Sequence, residues 1–207
     1  MLTLKTARVL LVSLFFLYES MIYGCASGGQ NTRFYVLDPV SMEIPLVNMV
    51  NQGDHLSIEI MSLRLPRYLE RPQIVTRDEE NRIKLAEFHR WGGNLQKNIV
   101  RVLAKNLSFL LQTPDVSSYT RNPQSPPDFR IEMAVMKFEK DPDERVRLSA
   151  QWTLSRGKDN SLLTVKITDL ESSILQPGSD MDKTVSAMNI LIGDLSRIIG
   201  KEIIRHR

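Results

Sequence analysis

A single cysteine, Cys25, stands at the end of an N-terminal apolar run, and it divides the chain into a part read for export and a part that must fold. Lys5 and Arg8 open the run, Val9 to Tyr18 form its apolar core, and the small residues Gly24, Ala26 and Ser27 lie at its end. A basic start, an apolar middle and a small-residue end are the three-part order of a secretory signal peptide. The apolar core is about ten residues long, against the roughly twenty that a helix needs to cross a bilayer. The run therefore reads as a signal and not as a transmembrane anchor.

Ile22-Tyr23-Gly24-Cys25 resembles a bacterial lipobox. That resemblance implies cleavage before Cys25, a diacylglycerol on its sulfur and an acyl chain on its new amino group. Buried acyl chains contribute about 0.8 kcal/mol per methylene, and durable anchoring takes more than one chain. A triacylated Cys25 thus holds the protein on a membrane. The next residue is Ala26, where an aspartate would imply retention at the inner membrane, so the expected address is the outer membrane, facing the periplasm. Residues 1–24 read as the signal peptide, 25–32 as a lipidated tether whose Ser-Gly-Gly-Gln is flexible by composition, and 33–207 as one domain.

Without residues 1–24 the chain is about 180 residues long, enough for one hydrophobic core. Its charge is close to neutral; the whole chain carries a formal +3. That is too little for a nucleic-acid-binding face, which needs a strongly basic patch. An acylated Cys25 leaves no thiol for a disulfide or a cysteine metal site, so the domain depends on its core.

Hydrophobic periodicity gives the elements. Arg33 to Leu37 reads as a strand stopped by Asp38-Pro39, and His55 to Ile60 alternates as a half-buried strand. Gln73–Arg77 and Arg82–Ala86 flank Asp78-Glu79-Glu80-Asn81 as a hairpin. Asn94 is a candidate cap for a helix with Leu95, Ile99, Val102, Leu103, Leu107 and Leu110 on one face. Asp115 to Asp128 reads as a loop. Three strands follow, Phe129–Lys140, Arg145–Arg156 and Leu162–Leu170, turning at Asp141-Pro142-Asp143 and Gly157-Lys158-Asp159-Asn160. Asp180 or Asp182 caps a last helix carrying Val185, Met188, Ile192, Leu195, Ile199 and Ile203. The order predicts an α+β domain, an antiparallel sheet with two main helices on one face.

No constellation for chemistry emerges. There is no Gly-x-Ser-x-Gly elbow, and His55, His89 and His206 share no metal-ligand spacing. Glu139, Asp141, Asp143 and Glu144 lack the order of a calcium loop, and Pro142 makes a hairpin turn the simpler account. Phe88-His89-Arg90-Trp91 reads as aromatic packing at a strand–helix corner. No catalytic residue, metal or cofactor is expected. The most unusual segment is Leu63 to Pro72, in which Arg64, Leu65, Pro66, Arg67, Tyr68, Leu69 and Arg71 place arginines beside apolar residues where proline prevents a regular central strand. Arginine and tyrosine are favoured at interface hot spots, so these seven are candidate partner-binding residues; a solvated crossover at a sheet edge is the plain alternative.

This segment, with Phe34-Tyr35-Val36-Leu37 before it and Gln73-Ile74-Val75-Thr76-Arg77 and Leu85-Ala86-Glu87-Phe88-His89-Arg90-Trp91 after it, resembles the ABC-transport auxiliary lipoproteins. The resemblance implies a non-enzymatic outer-membrane lipoprotein that assists lipid transport between membranes. It also implies an inner-membrane-anchored partner with MCE domains, whose tunnel spans the periplasm, and a homo-oligomer such as a ring. A membrane-tethered periplasmic hydrolase or an envelope-structural lipoprotein are the readings from other classes.

Overall fold

One long strand, Phe129–Lys140, sets the architecture, because its two halves have different neighbours. The computed structural model describes residues 31–40, 45–46, 56–79, 81–118, 126–173 and 181–207. Cys25, the signal segment, most of the tether, His55, Asp180 and most of the stretch from Val40 to Gly53 lie outside them. In chain order the strands are β1 (Arg33–Tyr35), β2 (Ile58–Arg64), β3 (Gln73–Glu79), β4 (Arg82–Trp91), β5 (Val116–Ser118), β6 (Phe129–Lys140), β7 (Arg145–Arg156) and β8 (Leu162–Ser173). The helices are α1 (Leu95–Leu110) and α2 (Met181–His206).

All eight strands join one sheet, ordered β1-β4-β3-β6-β2-β5, with β7 and then β8 on the other side of β6. The chain is an α+β protein. The two hairpin-connected groups, β3–β4 and β6–β7–β8, are antiparallel, as their short turns dictate. The sheet as a whole is mixed: β2 runs parallel to β5 and β6, and β1 parallel to β4. These parallel partners come from segments separated by long crossovers, one of which contains α1, and a parallel pair cannot be joined by a tight turn.

Both helices pack on the face of the sheet that carries Ile131, Met133, Val146, Leu148, Trp152 and Leu154, all buried. The six apolar positions expected on each helix are buried without exception. Each fully buried leucine or isoleucine contributes roughly 1.5–3 kcal/mol before chain entropy is charged against it. Asn94 caps α1, its Oδ1 accepting from the Lys97 N–H at 2.9 Å. Asp182 lies in the first turn of α2, where a carboxylate complements the helix dipole. A buried polar contact joins the helices: Asn106 Nδ2 donates to Ser196 Oγ at 3.1 Å, and Ser196 Oγ donates to the Ile192 carbonyl.

The C-terminal end of α2 is tied to β8 through the buried Glu202. Its carboxylate accepts from Lys166 Nζ at 2.6 Å, Thr164 Oγ1 at 3.0 Å and Arg205 Nη1 at 2.9 Å. Two local expectations change. The strand expected over His55–Ile60 forms at Ile58–Arg64; its start, Ile58 to Ile60, is buried on both faces, with Glu59 pairing with Arg130 at 3.0 Å, whereas Met61 and Arg64 are exposed. The loop expected over Asp115–Asp128 contains β5, a polar strand that forms by adding to the edge of β2. No helix among the described residues is long and apolar enough to cross a membrane.

Candidate docking surface

β2 and β6 pair as far as Arg64 opposite Ala134, and β3 meets β6 at Thr76 opposite Lys140. Between these points the sheet forks, and β6 changes register at a bulge between Val135 and Lys137. The segment from Leu65 to Pro72 fills the fork. Pro66 sits at φ −65°, the angle its ring imposes, and starts a 3-10 turn over Arg67–Leu69 closed by Leu69 N–H on the Pro66 carbonyl at 2.9 Å.

Within the turn the side chains alternate between inside and outside. Leu63, Leu65 and Leu69 enter the core. Tyr68 is half-buried, and its hydroxyl lies 2.9 Å from Glu139 Oε2 and 3.2 Å from the Met136 carbonyl. The residue displaced by the bulge thus finds a partner for its carbonyl in the turn. Glu139 is 2% exposed and also accepts from Arg77 Nη2 at 2.9 Å and from the Phe138 N–H at 3.0 Å. Burial, then the Glu139 charge beside it, pushes the Tyr68 hydroxyl well above the usual tyrosine range. The hydrogen bond to Glu139 raises the Arg77 guanidinium in turn.

Arg64, Arg67 and Arg71 point into solvent, and none makes an ion pair among the described residues. The seven-residue candidate interface therefore separates into two groups. The expectation of exposed leucines is corrected: Leu65 and Leu69 are core residues, because a proline-broken segment over a forked sheet must still bury its apolar side chains. The three arginines, with Pro66 and the edge of the Tyr68 ring, form the outward face.

Beside this network lies an open cleft of about 960 Å³ between the β3–β4 and β6–β7 turns. Arg77, Asp78, Glu79 and Arg82 line it from β3–β4 and Lys137, Glu139, Asp141, Asp143 and Arg147 from β6–β7, and no serine, cysteine or histidine is among its described lining residues. The acidic group is a hairpin turn: Asp141 Oδ1 accepts from the Arg145 N–H at 2.8 Å and Oδ2 from Arg147 Nε at 2.6 Å. Burial pushes the Asp141 carboxyl up, but the Arg147 hydrogen bond and charge, together with the Arg145 and Asp143 N–H groups, outweigh it and hold the group below its ordinary value. Among the described residues no three potential ligands are grouped for a metal. Sequence patterning had no signal for the cleft, since its charges meet only through the register of the strands.

The remaining candidates have structural partners. His89 Nδ1 lies 2.8 Å from the Tyr35 hydroxyl, and His206 Nε2 lies 3.2 Å from Thr164 Oγ1. Trp91 is buried at the corner as expected, whereas Phe88 is exposed.

Two solved structures share this fold. A crystal structure of an uncharacterized protein superposes with a TM-score of 0.64 at 20% identity, covering 84% of this chain and 99% of that one. A Xanthomonas campestris protein superposes with a TM-score of 0.64 at 11% identity, covering 82% and 93%. Comparison with curated proteins gives no match. The family model of the ABC-type transport auxiliary lipoprotein component matches residues 35–200, nearly the whole described domain. An auxiliary lipoprotein of a transport system works at a membrane of the cell envelope. The chain belongs to the family of ABC-type transport auxiliary lipoprotein components.

Proposed function

We propose that this protein is an outer-membrane lipoprotein that assists phospholipid transport between membranes without catalysing a reaction. In this reading acylated Cys25 fixes it to the periplasmic face of the outer membrane, and its domain receives the end of a periplasm-spanning tunnel built by an MCE-domain protein of the inner membrane. The family match over residues 35–200 carries the proposal. The outward face of the turn supports it: three arginines with no ion-pair partner among the described residues stand on a segment whose leucines are buried and whose tyrosine is hydrogen-bonded to Glu139, so the backbone that carries the charges is fixed before a partner arrives.

Copurification tests it. The mature lipoprotein is expected to hold an MCE assembly through washing at moderate salt and to release it at high salt, as arginine-mediated contacts are screened. Failure to retain any MCE assembly at low salt overturns the reading.

A further inference from the structure

Among the described residues, the most exposed aromatic side chain lies on the strand that the tether enters. Phe34 of β1 is 67% exposed, with Val36 at 49% and Phe88 of β4 at 38%. Strand pairing brings them together. Phe34 stands opposite Arg90, and Tyr35 opposite the buried Trp91, so Phe34 and Arg90 share the outer face while Tyr35 packs inward. Phe88, two positions before Arg90, lies on that outer face as well. Gly92 closes the strip: its N–H donates to the Tyr35 carbonyl at 2.7 Å, and a Cβ there would lie 3.7 Å from Val36 Cγ2.

Positive charge borders the strip. Arg90, opposite Phe34, has no ion-pair partner among the described residues. Arg33 is 3.8 Å from Asp182 with both side chains more than half exposed, and the exposed Asp38 faces Arg101 at 3.8 Å, while Glu87, next to Phe88 on β4, is exposed as well.

We propose that the outer face of β1 and β4 rests on the lipid surface in which Cys25 is anchored, with Phe34, Val36 and Phe88 entering the headgroup boundary and Arg90 meeting anionic headgroups. The inference rests on acylation of Cys25. Chain length then selects the occupant. Arg33 follows Cys25 by eight positions, and eight residues reach at most about 28 Å in any conformation. β1 is therefore confined near the bilayer. The other exposed apolar strip, Leu162, Val165 and Ile167 on β8, begins five strand spacings away across the sheet, about 24 Å farther. Exposed aromatics beside arginines have the composition of an interfacial surface, apolar toward the acyl boundary and cationic toward anionic lipid.

Depth-dependent quenching tests it in the mature, lipidated protein. Phe34→Trp and Ile167→Trp are each reconstituted in vesicles of phosphatidylethanolamine and phosphatidylglycerol, with or without bromine on the acyl chains. The two native tryptophans, Trp91 and Trp152, are buried and provide the background. In brominated vesicles the added emission of Phe34→Trp is expected to fall about twofold or more, while Ile167→Trp changes by about a tenth or less. Equal quenching of the two variants, or no quenching in protein that floats with the vesicles, overturns this proposal alone. Emission from Phe34→Trp that is blue-shifted but unquenched assigns the strip to a protein partner and overturns it too. Protein that does not float overturns the acylation reading, and the proposal with it.

Discussion

Tyr68 donates its hydroxyl to Glu139 at 2.9 Å across 71 residues of sequence, from a turn in the fork of the sheet to the bulged half of its central strand. The pair, with Arg77 on the other carboxylate oxygen, is what fastens the arginine-bearing turn to the domain. Tyr68→Phe removes one of the two donors to a buried carboxylate oxygen, leaving it the Phe138 N–H, and takes the hydroxyl from the Met136 carbonyl, which costs about 1–3 kcal/mol. A lower urea midpoint with an unchanged slope is the expected result. The sign with pH follows from the raised tyrosine: the unfolded chain loses this proton near pH 10 and the folded protein does so only higher. Stability from Tyr68 is therefore complete below pH 10 and declines as pH rises above it, and Tyr68→Phe removes that part of the decline.

Glu202 sets the opposite sign at low pH. The Lys166 hydrogen bond holds its carboxyl below the ordinary value of 4.5, against burial, with Thr164 adding to the effect. Its contribution is present above pH 4.5 and is lost as pH falls through the lower folded value. Glu202→Gln is expected to cost about 1–3 kcal/mol at neutral pH and to flatten acid unfolding, read by circular dichroism across a pH series.

Gly157 follows β7 where the chain passes the backbone of Pro127. A Cβ there would lie 1.7 Å from the Pro127 carbonyl oxygen, far inside contact distance. Neither backbone can yield without losing the Gly157 N–H bond to the Asp128 carbonyl at 2.9 Å. Gly157→Ala is expected to destabilise by about 3 kcal/mol, as overpacking against fixed atoms does, with a melting temperature lower by roughly 6–12 °C.

Charge reversal separates the docking face from the fold. Arg67→Glu with Arg71→Glu is expected to weaken capture of the MCE partner at least about tenfold, while the melting temperature moves by roughly 2 °C or less, since surface changes away from fixed contacts are near neutral. Unchanged capture removes the turn from the interface.

Cys25→Ala is expected to abolish palmitate labelling and outer-membrane fractionation while the domain keeps its circular-dichroism spectrum. The core lies within Thr32–Arg207 and takes nothing from the acyl chains. Continued labelling of the variant removes Cys25 from the anchoring role.

Much of the fold was legible because periodicity records burial on a single face. The helix stripes and the β6–β7–β8 meander follow from it, and even the bulge leaves a trace: the apolar series Phe129, Ile131, Met133, Val135 steps by three to Phe138. β5 left none, since Val116-Ser117-Ser118 becomes a strand only when β2 offers it an edge. The docking segment was legible as an anomaly but not in its sides. Nothing local distinguishes Leu65 and Leu69, which turn inward, from Phe34, which stays out. That choice is made by the fork in the sheet, a relationship between β2, β3 and β6 that joins residues 64, 76 and 134–140. The charged cleft is invisible in sequence for the same reason.

The fork has a mechanical consequence. A protein tethered at one end and gripped by a partner at the other is under tension, and the route of that tension decides what yields first. Arg67 and Arg71 are mounted on a turn that hands its load through Tyr68 and Glu139 to β6, which is hydrogen-bonded along its length to β7. Pulling there loads many bonds at once in the middle of the sheet, whereas a grip on β8 or β5 would peel an edge strand bond by bond. If the turn is the docking site proposed above, a handle over the fork lets the domain bear force without unravelling.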